Sequence, residues 1–210
     1  MGGKIKMKQL LENWKKYLLS EKLMLKPGPN GWDLYGKLVA EAYKNASSYD
    51  PEAASSFEAL GPFTDKMFKQ IQSRVDVQFV DYDPYPSEVE MCQDAMKNRV
   101  LKIWTGGIEH PVFDPELNAK MRAVHDYMTH CQRDTSFTLP GEIAAFNAHM
   151  KTVPEAGRGA LFTEVVGQAA YYINYGEFPE QKIVILKEFD KYNVGSVDGY
   201  DIINKELVAK

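Results

Sequence analysis

The triplet Asp-Pro-Glu occurs twice, at Asp50-Pro51-Glu52 and Asp114-Pro115-Glu116, and it constrains the fold more than any other feature of the chain. The aspartate can cap free backbone N–H groups, the proline is preset for the first helical position, and the glutamate complements the positive end of the helix dipole. Pro154-Glu155 and Pro140 mark further helix starts, and Ser87 with Glu90 makes a capping box. Apolar spacing then predicts helices over 32–46, from 50, over 63–73, 88–98, 115–131, 141–151 and 154–175, with a last one over 199–208. Between them the period falls to two. Val75, Val77 and Phe79 alternate with polar residues, and Val100 to Trp104 reads as a second strand ended by Gly106-Gly107. The expectation is an α+β fold, mostly helical, in which a helical bundle carries a small two-stranded element.

An amphipathic helix is predicted over 7–24, and Lys26-Pro-Gly-Pro-Asn-Gly31 breaks it off. This divides the chain into an N-terminal arm, 1–26, and one mainly helical domain, 27–210. A net charge of −4 gives no bulk attraction to nucleic acid or to an anionic membrane. No apolar run reaches the length of a membrane span, and the basic start leads into polar residues rather than a signal-peptide core, so a cytoplasmic location is expected. Cys92 and Cys131 are read as two separate thiols. No glycine-rich nucleotide loop is present. Asp190 to Asp201 has the central glycine of a calcium loop, but Tyr192 and Val194 stand where oxygen ligands are needed, so calcium is not expected there.

All four histidines lie between His110 and His149, interleaved with acids. These residue types bind divalent metals and move protons. On an ideal helix Asp126 and His130 stack, whereas His125 and His130 diverge by about 140° and cannot share an ion unless the helix loosens near Thr129. Glu142 and His149 share a face but lie about 10 Å apart along it. Glu164 and Gln168 sit on an apolar stripe with Leu161 and Tyr172, where an unpaired carboxylate is costly. These three helices are expected to aim their side chains into one cleft. His125, His130, Glu164 and His149 are the candidate ligands for Zn, Mn or Fe, and Glu142 and Asp126 are the candidate catalytic groups. Glu164 is expected to be buried and to face His130; His110 is expected to play a loop role.

The composite His110-Pro111, Arg122-Ala-Val-His-Asp126, His130, Gly141-Glu142, Ala148-His149, Thr163-Glu164 and Gly167-Gln168 resembles a family of tailed-bacteriophage proteins of uncharacterised activity. The resemblance covers roughly a third of the chain; it implies a phage origin and a His/acid site. His125-Asp126 with His110 is also loosely similar to the HD-type phosphohydrolases. The function expected is a metal-dependent hydrolase with a small phosphoester or nucleotide-type substrate, acting in the infected cell. The alternative is a non-enzymatic structural or host-interaction protein whose His/acid cluster locks helices together. In that case Trp14 and Tyr17 on the N-terminal helix would dock a partner or a second copy.

Overall fold

The computed structural model describes residues 29–107, 109–186, 189, 200–203 and 206–209. The arm 1–26, the helix predicted over 7–24 and most of the calcium-loop segment lie outside them. The chain divides into a larger unit, Tyr35–Lys187, and a smaller one made of Met1–Leu34 and Glu188–Lys210. The tail is therefore not part of the larger unit. In the smaller unit the helix expected over 199–208 is instead an antiparallel pair, β3 (Tyr200–Ile203) and β4 (Glu206–Ala209). The run of Tyr200, Ile202, Ile203, Leu207 and Val208 is rich in β-branched and aromatic residues, which fit a pleated surface.

The larger unit is mostly helical, as expected. Helix α1 (Pro29–Asn45) buries Tyr35, Val39 and Tyr43, spaced four apart on one face. Helices α2 (Pro51–Glu58) and α3 (Leu60–Gln72) follow, and the Asp50 carboxylate caps α2 by accepting from the Glu52 N–H. Strands β1 (Asp76–Val80) and β2 (Val100–Trp104) pair in parallel, joined by α4 (Glu88–Gln93), whose cap is Ser87. Alternation along β2 puts Leu101 and Ile103 into the core. Asp114 caps α5 (Pro115–His125) through the Leu117 N–H. Helices α6 (Leu139–Met150), α7 (Arg158–Phe162) and α8 (Gln168–Tyr175) complete the bundle, with Phe146 and Phe162 edge-on at its centre. Among the described residues, no helix is long and apolar enough to cross a membrane.

Two expectations are corrected here. Cys92 and Cys131 are not separate thiols; they form a disulfide that ties α4 to the end of the α5 helical segment. Three of the predicted helices, over 88–98, 115–131 and 154–175, are not uniform either. Each changes to π-helix, over Asp94–Asn98, Asp126–Cys131 and Thr163–Gly167. The i→i+5 bonding of a π-turn puts one extra residue into the turn and rotates everything after it, and such turns recur at functional sites. Two of the three fall on the histidine- and glutamate-bearing segments. At the third turn Gly167 lets the Tyr43 ring approach the backbone, at a place where a side chain would collide with it.

Candidate metal centre

The π-turn Asp126–Cys131 decides the site. It supplies the loosening that an ideal helix lacks, so His125 and His130, five residues apart, point the same way with their Nε2 atoms 2.9 Å apart. Asp126, expected to pair with His130, is turned away from it into a separate cavity. Helix α6 brings Glu142 to the same point: Oε2 lies 3.3 Å from His125 Nε2 and Oε1 lies 3.5 Å from His130 Nε2. Glu142 sits in the first turn of α6, behind Pro140. The neighbouring Gly141 packs so close to the Ser136 carbonyl that any side chain there would clash.

One donor atom from each of His125, His130 and Glu142 lies within 4.8 Å of the others. The set fits a divalent ion. Nitrogen and oxygen ligands at 2.0–2.1 Å from a tetrahedral ion lie about 3.3 Å from one another, against the 2.9, 3.3 and 3.5 Å seen here. The His130 tautomer also fits. Its Nδ1 bonds the Thr135 carbonyl at 2.7 Å, which fixes the proton there and leaves the Nε2 lone pair for the shared point. Asp134, in the left-handed region at φ 55°, turns the chain so that Thr135 reaches back to the ring.

The electrostatics split the two rings. Burial lowers the pKa of His130, and the charge of His125 lowers it further. At His125 burial pulls the same way, but the hydrogen bond and charge of Glu142, with help from Asp126, outweigh it and raise the pKa. A proton on His125 Nε2, facing His130 and Glu142, thus stands where an ion would be held.

Glu164 and His110 form a second group. The Glu164 side chain is buried, as expected, but it faces His110 rather than His130: His110 Nε2 lies 3.5 Å from Glu164 Oε1. His110 Nδ1 accepts from the Val112 and Phe113 N–H groups, at 3.2 and 2.9 Å. With Nδ1 accepting, the proton is on Nε2, aimed at Glu164, so this ring has no free lone pair for a metal. Gln168 Nε2 donates to the other carboxylate oxygen, Oε2, at 2.8 Å. Glu142 thus occupies the place expected of Glu164. Both carboxylates still line one cavity of ≈ 190 Å³, together with His125, Arg122 and Gln168.

His149 is buried against Phe63, its ring centre 5.7 Å from that of His125, and neither ring nitrogen makes a hydrogen bond of good geometry, the Val124 backbone giving only a weak contact. Burial, with the positive potential of His125 and His130, pushes its pKa down to about 3. It lies beside the three-residue set rather than in it. Burial likewise pushes the Asp126 carboxyl up to about 6, against the pull of His125 and Arg122. The Thr135 backstop and the His110–Glu164 pair are not legible in the sequence, because both depend on loop paths. The phrase Arg122-Ala-Val-His-Asp126 contains one further partner: Arg122 donates to the Trp104 and Gly106 carbonyls, at 2.9 and 2.8 Å, and locks α5 to the end of β2. No protein-family model matches this chain, and neither a curated protein nor a solved structure matches it at a significant level.

Proposed function

We propose that this protein is a metal-dependent hydrolase of bacteriophage origin, acting on a phosphoester. The observation that carries the reading is the convergence of His125, His130 and Glu142 beside a cavity that a second carboxylate, Glu164, also lines. A divalent ion held by the three would acidify a water for attack near neutral pH. The chain's own residues divide the remaining work. Glu142 holds the ion together with the two rings. Glu164, steadied by the Gln168 amide and 3.5 Å from His110 Nε2, would accept the water's proton. Arg122, on the same cavity wall, offers positive charge to an anionic substrate group. The compartment proposed is the cytoplasm of the infected cell; the Cys92–Cys131 bond is the feature that favours an oxidising compartment instead.

Metal analysis of protein purified without an affinity tag tests this, together with thermal shifts on adding Zn, Mn, Fe or Ni. Co-purifying or stabilising metal, lost in Glu142→Gln, is the expected result. No bound metal and no stabilisation by any of the four would overturn it. A structural reading rests on one observation: His125 Nε2 lies within hydrogen-bond reach of both His130 Nε2, at 2.9 Å, and Glu142 Oε2, at 3.3 Å. On that reading Glu142→Gln lowers stability in metal-free buffer and no metal changes it.

A further inference from the structure

Next to the cavity that Glu142 and Glu164 share lies a larger one, of ≈ 450 Å³, within the range of small-molecule sites. Arg122, His125, Gln168 and Gln181 line both, so the two spaces meet across the same side chains. One wall of the larger cavity is aromatic and comes from three segments: Trp104 at the end of β2, Tyr172 on α8, and Phe178 in the loop after it. Phe178 stacks on Tyr172 with ring centres 4.8 Å apart and leans on Trp104 at 5.8 Å. These rings are not core. Phe178 is 61% exposed and Tyr172 46%, so ring faces are left open to the cavity and to solvent.

The polar lining is of another kind. Lys102 and Arg122 bring positive charge, and Asp126 brings a half-buried carboxyl. The Gln168 amide N–H is already spent on Glu164 and Gln181, while its carbonyl receives only a long contact, 3.5 Å, from Gln181. An open aromatic wall takes a planar ring. A carboxyl and an amide carbonyl read the hydrogen-bonding edge of that ring, and two cations meet an anionic group.

From this cavity we infer that the ligand is a nucleotide, with its base on the Trp104–Tyr172–Phe178 wall and its phosphate turned by Arg122 toward His125. This rests on the hydrolase reading for the reaction, but not for the binding. Base stacking on an aromatic side chain contributes enough for its removal to be measurable.

The probes are AMP, GMP, CMP and UMP, titrated calorimetrically into metal-free wild-type protein, with phenyl phosphate, adenosine and a disaccharide beside them. At least one nucleotide should bind with Kd below about 1 mM. Adenosine and phenyl phosphate should bind at least about tenfold more weakly than the best nucleotide. Phe178→Ala and Tyr172→Ala change exposed rings and should each weaken binding about tenfold; Trp104→Phe keeps a ring and should weaken it less. The titrations are made on metal-free protein, so failure of the metal reading and failure of this one are separately visible. The inference is overturned if no nucleotide binds, if both ring-removing variants bind normally, if phenyl phosphate binds as well as any nucleotide, or if the disaccharide is the tighter ligand.

Discussion

Two histidine–glutamate groups each put a carboxylate into one cavity, and the backbone behind their rings differs. In the His125/His130/Glu142 group, the His130 Nδ1 donates to a backbone carbonyl, so its Nε2 lone pair is free at the shared point. In the His110/Glu164 group, Nδ1 accepts from two backbone N–H groups, so Nε2 must carry the proton. Backbone polarity behind each ring therefore sets what its front can do: one ring can ligate, the other can only donate. Counting His and Glu would treat the two groups as equivalent. The hydrogen bonds behind them make one a candidate metal centre and leave the other without a free ring lone pair.

The largest expected effect tests this contrast directly. His130→Ala should weaken zinc binding at least about a hundredfold, ~2.7 kcal/mol, whereas His110→Ala should leave it within about threefold, read by calorimetry. Equal losses in the two variants would erase the distinction between the groups.

Reduction of the disulfide should act on the first group far more than on the second. Cys131 directly follows His130 and closes the π-turn, and its partner Cys92 is 39 residues away in sequence. Opening a loop of that size is expected to cost about 4 kcal/mol of stability in denaturant melts. It should also weaken zinc binding about tenfold by freeing the π-turn, the cost of disturbing a ligand's support. Undiminished zinc affinity in Cys92→Ser would show that the turn holds its geometry without the bond.

A third measurement uses pH. His149 has its folded pKa depressed to about 3 by burial. Its neutral form thus contributes stability that is fully present above the ordinary histidine pKa and lost as pH falls toward 3. Between pH 6.5 and pH 4 the loss should be about 3 kcal/mol, and His149→Leu should flatten that limb of the stability profile. Asp126 and His125, whose pKa values are raised, act with the opposite sign, since both are stabilised in their protonated forms at low pH. An unchanged acid limb in His149→Leu would mean that the ring is hydrogen-bonded in solution.

The smallest effect belongs to the second group. Glu164→Gln keeps the shape and the bond from Gln168 but weakens the contact with the His110 Nε2–H. It should cost about 1–2 kcal/mol in thermal or chemical denaturation and leave zinc binding unchanged. A loss of metal would return Glu164 to the ligand set.

Much of this molecule follows from local rules. The Asp-Pro-Glu starts, the Ser87 cap and the alternation along β2 describe interactions made within a few residues, and each occurs where the sequence predicts. The three helices that carry the site were legible for the same reason, and Glu142, Glu164 and Gln168 line one cavity, although Asp126 and His149 do not. The tail was not: its apolar residues suit a helix or a hairpin, and pairing between strands selects the hairpin.

What only the tertiary structure decided is the assignment within the cleft. Ideal helical angles pair Asp126 with His130; the π-turn adds one residue and pairs His125 with His130 instead. Glu142, rather than Glu164, faces His130 because their partners arrive from other segments, Glu142's from the π-turn and Glu164's from the His110 loop. The Cys92–Cys131 bond and the contact of Phe178 with Trp104 likewise depend on distant segments meeting, and the Thr135 carbonyl reaches His130 through the turn at Asp134. Short-range propensity determines which residues share a helix. A shift of one residue in hydrogen bonding, selected by packing, determines which of them share a point in space.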